Sequence, residues 1–242
     1  MPIWQCMGRK PRLVVADHPH HVYQRGNNRR LLFSSHGDRV FWIACMRRAL
    51  DATGCRLHQM TLMSNHVHAI ITPPDADALS ELMKRANQRY AQTRNQQRGG
   101  SGKLFEERFR SVVIDDVEHL RVTTLYNDAN AYRAKMVTDP FAHDWSTVPL
   151  HAAGFGGRFL RSLWTPSAWY QGLGATPMAR AVAYRHAMIQ YLELEDDAAI
   201  DDEIKKREAR DAEVYRRRVE RPGRGWAREA QSRYGRKRER TE

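Results

Sequence analysis

The sequence has few cysteines and no long apolar run. Its 242 residues include three cysteines, Cys6, Cys45 and Cys55, and their number and spacing match neither a disulfide framework nor a zinc site. No apolar stretch approaches the length of a membrane span, and the N-terminus lacks the segments of a signal peptide. We therefore expect buried or incidental thiols in a soluble, cytoplasmic protein with no membrane partner.

Acidic side chains are also in the minority. The chain has 40 Lys and Arg against 28 Asp and Glu, a formal net charge of +12 and a pI near 10.0. Residues 203–242 contribute fifteen Lys and Arg against eight Asp and Glu, a net charge of +7. This excess favours an anionic polymer as partner, nucleic acid ahead of a membrane surface. The tail itself is expected to be either a solvated, partly helical or disordered segment or a DNA-binding arm.

Turn residues and apolar periodicity predict the order of secondary-structure elements. The predicted elements are a strand at 20–25, a helix at 38–53, strands at 56–63 and 66–72, a helix at 78–95, a strand at 109–114 and a helix at about 116–137. This β-α-β-β-α-β order predicts an α+β, ferredoxin-like antiparallel sheet with helices on one face and the other face free to bind something. A small helical appendage follows, with a helix start at Thr176 and Pro177.

Two histidines lie one residue apart on the predicted strand 66–72. Because strand side chains alternate between faces, His66 and His68 point the same way and form half of a metal site. Taken alone, such a pair is as readily two hydrogen-bonded strand histidines. On the last predicted helix, Tyr126 and Asn130 are four residues apart and share one face. The packing side of that helix is expected to include Leu125, Ala129 and Tyr132.

Polar and basic side chains cluster after the first strand and around a glycine-rich loop at 98–102. Lys and Arg would neutralise phosphates there, and nearby aromatic rings would stack on unpaired bases. Plain solvation explains any single arginine nearly as well, so only the cluster favours DNA. The predicted DNA-binding residues are Arg25, Asn27, Asn28, Arg29, Arg94, Arg98, Lys103, Arg108 and Arg110.

Several separated blocks of the sequence occur in an order typical of one family. The blocks are residues 11–15, 20–29, 63–68, 102–111, 125–134 and 145–146. Over roughly residues 8–190 the chain resembles the REP-associated tyrosine transposases, a branch of the IS200-like, single-tyrosine HUH transposases. It departs from the family pattern at Ala131 and Tyr132, which follow Asn130 where Pro-Val is usual, and at Ser64 and Phe105, which replace a common proline and tryptophan.

The resemblance implies roles for four side chains. Tyr126 matches the family's nucleophile, His66 and His68 match its metal-binding histidines, and Asn130 matches the polar residue that completes the metal site. It also implies a catalytic domain at 8–148, preceded by an N-terminal extension (1–7) and followed by the helical appendage (149–192) and the charged tail (193–242). The implied partner is single-stranded DNA with a hairpin of the REP type, and a protein of this kind would be associated with the nucleoid.

The chemistry of these residue types agrees with the resemblance. A phenol has a pKa near 10, so it attacks a phosphodiester well at neutral pH only when a cation favours the phenolate. Two imidazoles and an amide oxygen suit Mg²⁺ or Mn²⁺ with open positions for a phosphate oxygen, ahead of Zn²⁺. The expected product is a 5′-phosphotyrosine and a free 3′-hydroxyl, which can attack back and rejoin DNA.

Other interpretations remain open from the sequence. A hairpin-binding regulator that has kept the fold without catalysis is the main alternative, and an RNA-binding module would leave the histidine pair unexplained. Among the other phenols, Tyr23 is expected to touch DNA or the core, Tyr90 to face DNA or packing, and Tyr132 to point away from the site. A monomer acting in cis is favoured over a homodimer that exchanges its tyrosine helix.

Overall fold

The computed structural model of the protein describes residues 12–154 and 157–193. The predicted N-terminal extension, Cys6 and almost all of the charged tail therefore lie outside the described residues. The elements, in chain order, are β1 (His20–Arg25), a 3-10 turn (Asn27–Arg29), α1 (His36–Thr53), β2 (Arg56–Leu62), β3 (His66–Thr72), α2 (Ala78–Gln97), β4 (Arg110–Val113), α3 (Val117–Arg133), α4 (Val148–Ala153), α5 (Ala168–Gly172) and α6 (Pro177–Glu193).

The four strands form one antiparallel sheet in the order β2-β3-β1-β4. A tight connection joins β2 to β3, where Met63 N–H donates to His66 O at 2.9 Å. Helices α1 and α2 pack against each other and against one face of the sheet, where Trp42, Leu79 and Ile71 are fully buried. This arrangement confirms the predicted α+β, ferredoxin-like fold.

Helix α1 begins two residues before its predicted start because its cap lies further upstream. Ser35 Oγ accepts from Asp38 N–H at 3.1 Å, and Asp38 Oδ2 accepts from Ser35 N–H at 3.0 Å, which together form a capping box. The predicted stop at Gly54 is confirmed, since Gly54 adopts a left-handed conformation with φ of 67°. The apolar side of α1 is thereby turned towards the sheet.

The second face of the sheet is not free, contrary to the sequence prediction. Helix α3 lies over β2 and β3, and α5 and α6 pack against α3. Ile70 of β3 joins Leu125 and Ala129 of α3 in a second apolar cluster, because the pleat turns Ile70 away from the α1 and α2 side. Leu125 and Ala129 pack as expected, but Tyr132 does not, since it is 38% exposed.

The structure shows where the cysteines lie and how long and apolar the helices are. Cys45 and Cys55 are free thiols buried in the core on the α1 and α2 side, as predicted. Within residues 12–154 and 157–193, no helix is both long enough and apolar enough to cross a bilayer.

Candidate active site

The face of the sheet beneath α3 carries the predicted histidine pair. His66 and His68 lie on β3 with ring centroids 5.0 Å apart. On the neighbouring strand β1, Arg25 is paired with His66 and Tyr23 with His68, so these side chains share the same face. The strand pairing thus gathers imidazole, phenol and guanidinium groups at the end of β3 that follows the tight connection.

His66 is held in one tautomer by Asn65. Asn65 Nδ2 donates to Arg29 O at 3.1 Å, which turns Asn65 Oδ1 towards His66. Because that oxygen can only accept, His66 Nδ1–H is the donor in the 2.7 Å hydrogen bond between them. Nε2 of His66 therefore keeps its lone pair. Burial, helped by the charge of Arg25, lowers the pKa of His66 to about 4, so the ring is neutral near pH 7.

His68 is fully enclosed and has its own partner, His21 of β1. His21 Nε2 and His68 Nδ1 lie 3.0 Å apart and share one hydrogen bond, with the two rings stacked at 5.3 Å. When His68 is the donor, its Nε2 keeps a lone pair, which is the state of a metal-binding imidazole. Burial and the neighbouring His21 lower the pKa of His68 well below its ordinary value. Both predicted ligands are thus neutral and oriented.

Helix α3 brings the predicted nucleophile to this face. The rings of Tyr126 and His68 meet edge to face with centroids 6.2 Å apart, and the guanidinium of Arg133 lies 5.3 Å from the Tyr126 ring centroid. Asn130 lies one turn further along the same side of the helix. Its Nδ2 is buried without a hydrogen-bond partner in the described part of the chain. This unsatisfied N–H group is suited to donate to an acceptor such as a phosphate oxygen, whereas a metal ion would be held by Oδ1 of the same side chain.

A second phenol, Tyr23, also lies beside the histidine pair. Its ring centroid is 4.9 Å from that of His68 and 5.6 Å from that of His66. Its hydroxyl is buried and lacks a hydrogen-bond partner among the described residues, and burial raises the pKa of Tyr23 although the charges of Arg25 and Arg110 oppose the shift. Tyr23 is therefore a poorer source of phenolate than an ordinary tyrosine.

The donor set fits a divalent cation bound by mixed ligands. The ligands that the structure offers beside Tyr126 are Nε2 of His66, Nε2 of His68 when His68 donates to His21, and Oδ1 of Asn130. Within the described ranges, no group of three His, Cys, Asp or Glu side chains is placed to hold a metal. A metal site here would thus need Asn130, or another oxygen donor, as its third ligand, as Mg²⁺ and Mn²⁺ allow.

The two predicted DNA-binding loops lie side by side. Asn27 N–H donates to Leu104 O at 2.8 Å, and Gly26 forms a bridge with Phe105, which ties the turn after β1 to the loop before β4. Exposed or half-exposed side chains at this edge include Arg25, Asn27, Asn28, Arg29, Lys103, Arg108 and Arg110. Arg98 is also exposed, and its Nη2 donates to Ser34 Oγ at 2.7 Å.

Arg94 is a correction to the predicted DNA-binding set. It is 4% exposed and forms an ion pair with Asp38 at 2.9 Å, and it also donates to Leu32 O at 3.2 Å. Arg94 lies on the buried, mainly apolar side of α2, and its ion pair with Asp38 joins α2 to the start of α1. Its guanidinium is not available to a phosphate. Tyr90, on the same stripe, is likewise a packing residue, with its hydroxyl donating to Leu32 O at 2.6 Å.

Two residues of the site were not singled out from the sequence. Asn65 and His21 hydrogen-bond to Nδ1 of His66 and of His68, respectively. Tyr23, which was expected to touch DNA or the core, lies closer to His68 than Tyr126 does. Asn65 precedes His66 directly, which was a usable signal. The approach of His21 to His68 depends on the pairing of β1 with β3 and could not be read from spacing alone.

Known proteins resemble this chain in sequence and in fold. The family described as "Transposase IS200 like" matches residues 14–128. A solved structure of a REP-associated tyrosine transposase bound to a REP hairpin is similar in fold, with a TM-score of 0.51, 15% identity, and coverage of 66% of this chain and 89% of that one. A putative transposase from Deinococcus radiodurans R1 gives a TM-score of 0.34 at 17% identity, covering 53% of this chain and 97% of that one. A search of curated proteins found no match.

The matched segment contains the whole sheet and the part of α3 that carries Tyr126. The sequence blocks, the strand order and the family match therefore point the same way. Residues 14–128 of the chain match the IS200-like transposase family.

Proposed function

We propose that the protein is a metal-dependent endonuclease and strand-transferase for single-stranded DNA, acting beside hairpins through a 5′-phosphotyrosine intermediate. The observation that carries the proposal is the meeting of Tyr126 on α3 with His68 on β3, at 6.2 Å between ring centroids. A phenol nucleophile and two oriented, neutral imidazoles face each other there across two separate elements.

The reaction would proceed by transfer of one phosphodiester bond. Tyr126 Oη, as the phenolate, attacks the phosphorus in line with the leaving 3′-oxygen. The bond from phosphorus to the 3′-oxygen breaks, the oxygen leaves and takes up a proton, and the 5′-phosphate stays on Tyr126. Attack by a 3′-hydroxyl reverses the step and releases the tyrosine, so DNA is rejoined without another energy source.

The chain's own residues would orient and neutralise the phosphate. Arg25, paired with His66 on the neighbouring strand, has a buried Nε without a hydrogen-bond partner in the described part of the chain. Arg110 is paired with Tyr23 at the adjoining strand and is exposed. These two guanidinium groups suit the non-bridging oxygens of a phosphate close to Tyr126.

A metal ion would fit beside the same groups. His66, His68 and Asn130 are the residues that would hold Mg²⁺ or Mn²⁺. When bound, such an ion would act as a Lewis acid on the phosphate and lower the cost of the phenolate. Asn65 and His21 would keep the two imidazoles in their binding orientation.

The test is covalent capture on hairpin DNA. The protein is incubated with Mn²⁺ or Mg²⁺ and a pool of hairpin oligonucleotides whose single-stranded flanks are randomised, because the cognate sequence is unknown. The products are separated on a denaturing gel. A 5′-phosphotyrosine keeps the fragment that bears a 3′-end label, whereas a label at the 5′ end is released with the free 3′-hydroxyl.

Matched variants assign the nucleophile. We expect Tyr126→Phe to abolish the covalent band, and Tyr132→Phe, six residues later and exposed, to retain it. Tyr23→Phe is expected to form the adduct as well, because its hydroxyl is buried. Retention of the band by Tyr126→Phe would contradict the mechanism. Hairpin binding by the wild-type protein without cleavage would favour the non-catalytic regulator instead.

A further inference from the structure

A buried polar cluster holds α3 from the side opposite the candidate active site. Its centre is Asp128, which is 1% exposed and lies two residues after Tyr126. Residues two apart on a helix are about 200° apart around its axis, so Asp128 lies on roughly the reverse side from Tyr126. What Asp128 contacts therefore bears on how Tyr126 is presented.

The Asp128 carboxylate joins α3 to three other elements. Oδ1 accepts from Gln59 Nε2 of β2 at 2.9 Å. Oδ2 accepts from His151 Nδ1 of α4 at 2.8 Å and from Tyr184 Oη of α6 at 2.7 Å. The buried carboxylate thus has a hydrogen-bond donor on the sheet and one on each of two helices.

The partners of Asp128 are themselves fixed. Trp164 Nε1, which can only donate, lies 3.2 Å from His151 Nε2 and 2.9 Å from His58 O. With Trp164 donating to its Nε2, His151 presents its Nδ1–H to Asp128. Burial and the charge of Asp128 raise the pKa of Tyr184 well above its ordinary value, which keeps its hydroxyl a donor.

The anchor on the sheet is close to the metal-binding strand. Gln59 also accepts at Oε1 from Asn127 Nδ2 at 3.1 Å, so two successive residues of α3 are bound to one side chain of β2. Gln59 is paired with Ile70, and Thr61, two residues along β2, is paired with His68. The hydrogen bonds to Gln59 therefore fix the rotation of α3 about its axis relative to the part of the sheet that carries His68.

Burying a carboxylate among hydrogen-bond donors is an expensive way to stabilise a core. Packing alone would be served by apolar side chains, as in the rest of the second cluster. Directional hydrogen bonds from three elements instead fix the rotation of α3 about its axis and its distance from the sheet. The helices α4 and α6, which supply two of the donors, lie beyond the segment that matches the transposase family.

We infer that Asp128 is a positioning residue, which together with Gln59, His151 and Tyr184 fixes α3 so that Tyr126 is presented to His66 and His68. This inference rests on the proposed function for its catalytic consequence. It gives α4 and α6 a definite task, which is to brace the tyrosine helix within its own chain. Loss of the Asp128 hydrogen bonds should then slow adduct formation without weakening DNA binding.

The test compares buried hydroxyl and carboxylate variants of the full chain. Asp128→Asn keeps the size of the side chain and removes its charge, and Tyr184→Phe removes one donor. The matched control is Tyr170→Phe, which removes a buried hydroxyl that donates to the backbone oxygen of His151 at 3.0 Å rather than to Asp128. Single-turnover rates of adduct formation are measured at saturating hairpin DNA and Mn²⁺, well below the melting temperature of each variant.

We expect Asp128→Asn and Tyr184→Phe to lower that rate by about tenfold or more, since small misplacements of a nucleophile are costly. The affinity for hairpin DNA should stay within about twofold of wild type, because a positioning role leaves DNA binding intact. Tyr170→Phe should keep the wild-type rate. Unchanged rates in folded Asp128→Asn and Tyr184→Phe would overturn the inference.

A second measurement does not depend on catalysis. The protein is labelled with 3-fluorotyrosine, and the ¹⁹F resonance of Tyr126 is assigned by its loss in Tyr126→Phe. We expect Asp128→Asn to shift or broaden this resonance and Tyr170→Phe to leave it in place. An unmoved resonance would contradict the positioning role. A moved resonance in a protein whose wild type forms no adduct would support positioning and reject the proposed function.

Discussion

At the scale of single residues, the site depends on side chains that orient the two imidazoles through hydrogen bonds at their Nδ1 atoms. Strand periodicity placed the histidine pair on one face, and Tyr126 could be named because it matches the nucleophile of the family that the sequence resembles. His21 could not, because its approach to His68 follows from the pairing of strands that are about 45 residues apart in the chain. The wrong assignment of Arg94 has a similar origin, since its partner Asp38 lies on another helix.

The hydrogen-bond partners of the two imidazoles, His21 and Asn65, give a prediction about metal affinity. His21→Phe replaces the imidazole with another aromatic ring and removes the nitrogen that contacts His68 Nδ1. Asn65→Ala removes the acceptor of His66 Nδ1–H. Loss of such a hydrogen-bond partner typically weakens metal binding by about 10- to 100-fold. Titration calorimetry with Mn²⁺ should show this weakening in both variants. His36→Ala, which removes an exposed imidazole elsewhere, serves as the control, and equal affinities in all four proteins would refute the assignment.

His20, the residue before His21, gives a prediction about pH. Its Nε2 accepts from Val15 N–H at 3.1 Å and its Nδ1–H donates to His18 O at 2.7 Å, which only the neutral ring can do. Burial lowers the pKa of His20 from 6.5 to about 4, despite the opposing hydrogen bond to His18. Its contribution to stability is therefore complete above about pH 6.5 and is lost as the pH falls towards 4.

The size of this effect follows from the shift, at about 1.4 kcal/mol for each pH unit. Protonation of His20 should lower the free energy of unfolding by about 3 kcal/mol between pH 6.5 and 4. Urea unfolding at several pH values measures it. His20→Asn should show a shallower decline over this range than wild type, and an equally steep decline would show that His20 does not carry this pH dependence.

At the scale of elements, the sequence predicted the existence and order of the strands and helices better than their ends. Strand β3 was predicted with its observed bounds because turn residues flank it on both sides. The start of α1 was placed at Asp38, which is the third residue of the helix and forms the capping box with Ser35. The predicted end of α3 near residue 137 was too late, since the helix stops at Arg133 and Lys135 adopts a positive φ of 55°.

The start of α1 gives a prediction about stability. Ser35→Ala removes one capping hydrogen bond and should lower the free energy of unfolding by about 1 kcal/mol. Asp38→Ala removes the other half of the capping box and also leaves Arg94 buried without its ion-pair partner, which should cost about 3 to 5 kcal/mol. Urea unfolding of both variants at neutral pH separates the two effects. Equal losses would mean that the ion pair adds nothing beyond the cap.

At the scale of the whole molecule, the two faces of the sheet have different tasks. One face is closed by α1 and α2 and supplies the main core, whereas the other carries the candidate site under α3. Composition predicted a nucleic-acid partner but not that α4, α5 and α6 would cover the second face. Their packing depends on partners such as Asp128 and Tyr184, 56 residues apart, which no local pattern connects.

The positive charge of the molecule predicts a salt-dependent affinity for hairpin DNA. Each Lys or Arg that contacts a phosphate contributes about 0.7 to 0.9 to the slope of log affinity against log salt concentration. We expect Arg25→Ala and Arg110→Ala each to reduce the slope by about that amount. Arg48→Ala, on the exposed side of α1, should leave it unchanged. Fluorescence anisotropy between 0.05 and 0.2 M NaCl measures these slopes, and identical slopes in all proteins would place the DNA elsewhere.

The measurement that tests the central claim most directly is the identity of the residue that carries DNA after cleavage. The covalent adduct formed with hairpin DNA and Mn²⁺ is digested with nuclease and trypsin, and the remaining nucleotide is located by tandem mass spectrometry. Trypsin releases residues 122–133, whose fragmentation separates Tyr126 from Tyr132. The account predicts the nucleotide on Tyr126, whereas a nucleotide on Tyr23 or Tyr132, or an adduct that survives in Tyr126→Phe, would contradict it.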